Sequence, residues 1–156
     1  MKSPASTAGK VARKRSGGSV QATMGRFTDT LRYTVCTEQH DDIVAAARLV
    51  LAALVARGMT VIEASSRYRD GAPYKGLHFV VRDRPGTTFE LQVHSELSQR
   101  VKDDGHRYYE QARDPDTSDA AADEAEARCV ELSRQVPTPA GLQEATEFEG
   151  CILERV

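Results

Sequence analysis

A mixed β-sheet flanked by helices is the architecture this sequence predicts, and three observations predict it. Short runs of alternating apolar and polar residues recur at 31–36, 77–81 and 89–94, the period of half-buried strands. A helix-period segment at 41–58 separates the first of these strands from the rest. Helical patterns with capping and stopping residues dominate after residue 95. A long helix between strands is a crossover connection in a mixed sheet. With 156 residues, 40% of them hydrophobic and 28% charged, the chain can close one domain over residues 1–156. Residues 2–113 are expected to form the body of that domain, followed by a helical extension.

Each element has a local reason. Residues 2–15 suit a basic helix weakened by Gly9, and Ser16-Gly17-Gly18-Ser19 ends it in a loop. A second short helix fits 19–25. In the strand at 31–36, Leu31, Tyr33 and Val35 share a side. In the helix at 41–58, Ile43, Ala46, Ala47, Val50, Leu51, Leu54 and Val55 form an apolar face. Asp41 and Asp42 suit its positive end, and Gly58 suits a left-handed stop. A strand at 59–64 and a turn at 69–73 follow. Leu77, Phe79 and Val81 face the core from the next strand, with His78 opposite. Arg84-Pro85-Gly86 turns it into the strand at 87–94 as an antiparallel hairpin. A helix fits 96–113. Asp116-Thr117-Ser118 can cap another running to about 135, where Pro137 and Pro139 stop it. The last stretch is ambiguous, with Phe148, Ile152 and Leu153 as candidate docking groups.

Bulk properties exclude several classes. The formal charge of -2 gives no general attraction to nucleic acid or membranes. No apolar run approaches a membrane span, and the N-terminus lacks the apolar stretch of a secretory signal. Cys36, Cys129 and Cys151 are too sparse for a disulfide scaffold or a thiolate metal site. Charge is nevertheless uneven. Lys2, Lys10, Arg13, Lys14, Arg15, Arg26 and Arg32 dominate the first segment, where Asp29 is the lone acid, and the chain after Asp114 is acidic. The basic half suits a polyphosphate; the alternative is two oppositely charged, water-facing surfaces.

The richest run is Phe89-Glu90-Leu91-Gln92-Val93-His94. Phe89, Leu91 and Val93 point one way, and Glu90, Gln92 and His94 line the other face. A carboxylate, an amide and an imidazole in register suit a phosphate or metal site; the same pattern also suits a plain solvent-facing strand. If the strands that carry them approach, Asp29 and Glu90 can together hold Mg²⁺ against nucleotide phosphates. Glu90 can instead accept a proton from an attacking hydroxyl. Lys2, Lys10, Arg26 and Arg32 form a candidate phosphate clamp. Tyr74-Lys75-Gly76-Leu77-His78 offers an aromatic ring for a base, a cation for a phosphate, a glycine for close approach and an imidazole on the polar face. His94 can orient Glu90 or contact phosphate. Neither GxxxxGK[ST] nor GxGxxG is present.

Several segments, in order, resemble the RelA/SpoT-type alarmone synthetase domain, a branch of the nucleotidyltransferase-like fold. They are Lys2-Ser3-Pro4-Ala5-Ser6 with Lys10; Phe27-Thr28-Asp29-Thr30-Leu31-Arg32-Tyr33-Thr34-Val35; Tyr74-Lys75-Gly76-Leu77-His78; and Phe89-Glu90-Leu91-Gln92-Val93-His94-Ser95. Tyr109-Glu110 with Arg113 looks most like small, toxin-type members. The resemblance implies a nucleotidyltransferase-like mixed sheet and transfer of pyrophosphate from ATP to the 3′ hydroxyl of a purine nucleotide. It implies Mg²⁺ on Asp29, with Glu90 supporting the metal or deprotonating the hydroxyl. Lys2, Lys10 and Arg32 fall on the donor-phosphate side, Tyr74 under the acceptor base, and His78 beside it. Two departures stand out. His94-Ser95 occupies the place of an arginine and a threonine, and the glycine of an Asp-x-x-Gly-x-Arg pattern is missing from Asp29-Thr30-Leu31-Arg32. The wider family also implies the 3′ end of tRNA as an alternative acceptor. An immunity or antitoxin protein is an implied partner, and a bacterial cytoplasm the implied site of action, reached by delivery within a larger effector. A nucleotide-binding module without catalysis and a nuclease-like or interaction domain are the competing classes.

Overall fold

The computed structural model describes residues 31–156. The expected helices at 2–15 and 19–25 lie outside the described residues. Six strands form one mixed sheet: β1 (Arg32–Thr37), β2 (Thr60–Ser66), β3 (Leu77–Arg82), β4 (Thr88–Ser95), β5 (Glu147–Phe148) and β6 (Cys151–Arg155). Their spatial order is β1-β4-β3-β2-β6-β5. Among the described residues, three α-helices, α1 (Ile43–Ala56), α2 (Glu96–Arg113) and α3 (Asp119–Ser133), and a short 3-10 helix at His40–Asp42 complete the elements.

The hairpin of β3 and β4 forms as the alternation and the turn demand. Asp83 closes it, its amide donating to the Thr87 carbonyl and its side chain accepting from the Thr87 amide. Gly86 takes φ +97° there. β1 then pairs parallel to β4, setting Arg32 beside Glu90, and β2 pairs antiparallel to β3. Because β1 and β2 are parallel yet separated by the hairpin, α1 is the long crossover between them.

The apolar core lies between one face of the sheet and α1. Ile43, Ala47 and Leu51 are fully buried against Leu77, Phe79, Val81 and Val93. Gly58 ends α1 at φ +81°, a left-handed geometry that a side chain resists. β2 carries a bulge between Val61 and Glu63, which lets Val61 and Ala64 both reach the core although their spacing breaks strict alternation. Tyr33 differs from expectation: it is exposed, with its ring edge-on to Phe89.

The C-terminal stretch joins the same sheet rather than remaining helical. β6 pairs parallel to β2, and β5 folds back on β6. Phe148 and Leu153 dock into the core as anticipated, but Ile152 is 76% exposed because alternation turns it to the other face. Arg155 donates to the carbonyls of Leu142, Gln143 and Ala145, which fastens the loop before β5. Ser118 stands at the start of α3 but makes no side-chain capping bond. Cys36, Cys129 and Cys151 are free thiols. No helix among the described residues is long and apolar enough to cross a membrane.

Candidate functional site

The face of the sheet opposite the core carries a connected set of polar side chains. Strand alternation puts Glu90, Gln92 and His94 on this face of β4, His78 beside them on β3, and Arg32 on β1. Glu90, Gln92 and His94 are 7%, 2% and 0% exposed, so the solvent-facing alternative is excluded. Buried polar groups of this kind need partners. Each of them has one.

Glu90 is held from three sides. Arg32 donates from Nε and Nη2 to Oε2, both at 2.7 Å. His78 Nδ1 lies 3.0 Å from Oε1, and Gln92 Nε2 donates to Oε1 at 2.8 Å. Burial alone would raise the pKa of this carboxyl. The bonds from His78 and Gln92 and the charge of Arg32 outweigh burial and hold it well below the usual carboxylate range. Lys102, from α2, donates to Gln92 Oε1 at 2.9 Å and so fixes the amide's orientation. Burial, then the nearby Arg32 charge, pushes the Lys102 ammonium's pKa down.

A second chain runs from Glu90 away from Arg32. The Tyr74 hydroxyl sits 2.9 Å from His78 Nε2 and 2.7 Å from His94 Nε2. His94 Nδ1 lies 3.1 Å from Ser98 Oγ at the start of α2. Ser95 and Ser98 form a capping box there. Ser95 Oγ reaches His40 Nδ1 at 2.8 Å, and His40 Nε2 meets the Pro137 carbonyl at 2.9 Å. Gly76 makes room for this crossing: a Cβ on it would lie 2.6 Å from the Tyr74 hydroxyl and 2.8 Å from His94 Cε1. Burial, followed by the charges of Lys102, His78 and Arg32, pushes the His94 pKa down to about 3. Burial also lowers that of His78, against the opposing pull of Glu90. Both imidazoles are therefore neutral near pH 7.

The predicted residues divide into groups. Arg32, Tyr74, His78, Glu90, Gln92 and His94 come together in one network. Lys2, Lys10, Arg26 and Asp29 lie outside the described residues. Lys75 does not point to this cluster: its ammonium donates to the Val136 carbonyl at 2.7 Å, a partner supplied by the chain after α3. His94 touches Tyr74 and Ser98 rather than Glu90, which corrects the expectation that it orients the carboxylate directly. Lys102, Ser98 and His40 escaped the sequence reading. Lys102 falls ten residues after Gln92 on a helix with many charges, so nothing in the pattern singles it out. Tyr109 stays 46% exposed and takes a bond from Arg113, one turn along α2.

Magnesium does not fit the described residues by themselves. A carboxylate offers about four lone-pair directions, and Arg32, His78 and Gln92 send four N–H bonds or close contacts to those of Glu90. Among the described residues, no group of three or more His, Cys, Asp or Glu converges on a metal position.

No family model and no curated protein matches this chain. Solved structures do. The small alarmone synthetase 1 from Bacillus subtilis bound to its product pppGpp superposes with a TM-score of 0.60 at 16% identity, covering 86% of this chain and 68% of that one. A GTP pyrophosphokinase family protein from Streptococcus pneumoniae gives 0.59 at 20% identity, over 86% and 67%. The Bacillus subtilis enzyme bound to AMPCPP gives 0.51 at 18%, over 92% and 75%. The chain has the fold of the small alarmone synthetases.

Proposed function

We propose that this domain transfers pyrophosphate from ATP to the 3′ hydroxyl of a purine nucleotide. The observation that carries the reading is the Arg32–Glu90–His78 cluster on the polar face of a sheet with the alarmone synthetase fold. Solved relatives of that fold bind pppGpp and the ATP analogue AMPCPP. In the reaction the acceptor oxygen bonds to the β-phosphorus of ATP, the bond between that phosphorus and the α-bridging oxygen breaks, and AMP leaves. The hydroxyl proton must go to a nearby base.

Arg32 and Glu90 suit the two charged ends of this event. The Arg32 side chain is 33% exposed and that of Glu90 only 10%, so the guanidinium stands at the mouth and the carboxylate behind it. A guanidinium that turns to donor phosphate oxygens releases Glu90 Oε2. The carboxylate then loses one of the partners that depress its basicity and can take the proton. Asp29 and the Mg²⁺ assigned to it, with the clamp residues Lys2, Lys10 and Arg26, belong to this proposal on sequence grounds.

The test incubates pure protein with ATP and Mg²⁺ and, separately, GDP, ADP, AMP or tRNA, with products read by mass. The expected outcome is a pyrophosphorylated acceptor with an equal amount of AMP. Glu90→Gln, which keeps size and removes charge, should reduce the rate on the order of 100-fold or more. AMP without a modified acceptor, or inertness toward every acceptor, refutes the reading. The saturated Glu90 carboxylate favours one second reading, a module that binds nucleotide without transfer; saturable binding with no product identifies it.

A further inference from the structure

We propose that His94 is a positioning residue for Tyr74, holding the tyrosine ring in place for the acceptor nucleotide through a hydrogen bond from its Nε2–H to the phenol oxygen. This rests on the pyrophosphoryl-transfer reading and assigns a task to a residue at which the chain departs from the resembled pattern.

The acceptors at the two ends fix which imidazole nitrogens carry a proton there. The Pro137 carbonyl only accepts, so His40 Nε2 carries a proton and donates to it. At the other end the Glu90 carboxylate only accepts, so His78 carries a proton on Nδ1. A neutral His78 then presents a bare Nε2, which takes the Tyr74 hydroxyl proton. The phenol oxygen is left as an acceptor, and the His94 Nε2–H fills it at 2.7 Å. His94 Nδ1 in turn accepts from Ser98. Tyr74 therefore donates to one imidazole and accepts from another, and the two rings flank it edgewise with centroids 5.3 and 5.6 Å away.

A tyrosine in the loop between β2 and β3 would otherwise be free to rotate. Here its hydroxyl has both bonding roles filled by buried partners on β3 and β4. Gly76 is the space that permits it, because any Cβ would collide with the hydroxyl and with His94. Lys102 stands 6.0 Å from the Tyr74 ring centroid, adding a cation near that ring. A ring fixed before the nucleotide arrives does not have to be immobilised on binding, which lowers the cost of engaging the acceptor.

The proposal predicts a split between the two substrates. His94→Phe keeps the ring volume and removes the donor. The acceptor KM should rise about three- to tenfold, the cost of immobilising one side chain, while the KM for ATP stays unchanged. His94→Gln places an amide N–H near the position of Nε2 and should restore most of the loss. Gly76→Ala separates the pair while leaving both residues present, so it should reproduce the His94→Phe effect and serves where that variant does not fold. Unchanged acceptor KM in His94→Phe and Gly76→Ala, or a His94→Gln variant as impaired as His94→Phe, overturns the proposal. Nitrogen-15 NMR of the wild-type imidazoles reads the tether without any turnover. It should find His94 protonated at Nε2 and bare at Nδ1; the opposite tautomer refutes the positioning role. A wild type that binds nucleotide but transfers nothing sinks the proposed function, and the tautomer still decides the tether.

Discussion

His94 is fully buried and neutral, and its environment makes protonation costly. Its ordinary pKa of 6.5 falls to about 3 in the folded chain. Between these values the unfolded chain binds a proton that the folded chain refuses, so acid favours unfolding. The stability linked to His94 is complete above pH 6.5 and declines as pH falls toward 3. His78 shifts in the same direction and adds to the slope. Glu90 adds a third loss below its ordinary 4.5, because its folded carboxyl resists protonation. Urea denaturation across this range should show stability falling by about 1.4 kcal/mol per pH unit for each such histidine at its steepest. A flat profile from pH 7 to 4 contradicts neutral burial. Four residues of this network were legible in the sequence through strand parity: Glu90, Gln92, His94 and His78 had to share a face. Their mutual bonds were not legible, because side-chain reach across strands depends on register, and register follows from which strands pair.

Among the elements, α2 was readable to its ends because both are chemically marked. Ser95 accepts from the Ser98 amide while Ser98 accepts from the Ser95 amide, and Arg113 suits the negative end. Ser95 is doubly committed, since it also reaches His40. Ser95→Ala should therefore cost about 1–2 kcal/mol, at the upper end for a lost cap, measured by chemical denaturation at pH 7. A change below about 0.3 kcal/mol would mean that the cap is redundant. The two C-terminal strands were not readable for the opposite reason. β5 is two residues and β6 is five, too short for alternation to outweigh chance, and Glu149 and Gly150 between them take positive φ. Phe148 and Leu153 carried the apolar signal without revealing the sheet they join. The bulge in β2 escaped for a similar reason, because an inserted residue resets the period on which strand reading depends.

At the scale of the whole molecule, the proposed chemistry predicts a cellular effect. Unregulated pyrophosphate transfer consumes ATP and accumulates a modified nucleotide. Controlled expression in a bacterial cytoplasm should arrest growth with the wild type and not with Asp29→Asn or Glu90→Gln. Equal arrest by all three would show that toxicity does not need catalysis, and growth despite active wild type would favour a regulated synthetase. The parallel pairing of β1 with β4 has a further consequence, in the order of assembly. β3 and β4 are joined by a tight turn, so His78, Gln92 and Glu90 meet early through local contacts. Arg32 lies 58 residues from Glu90 along the chain and arrives only when the crossover through α1 has closed. In refolding, the Arg32–Glu90 pair is therefore expected to form after the hairpin contacts.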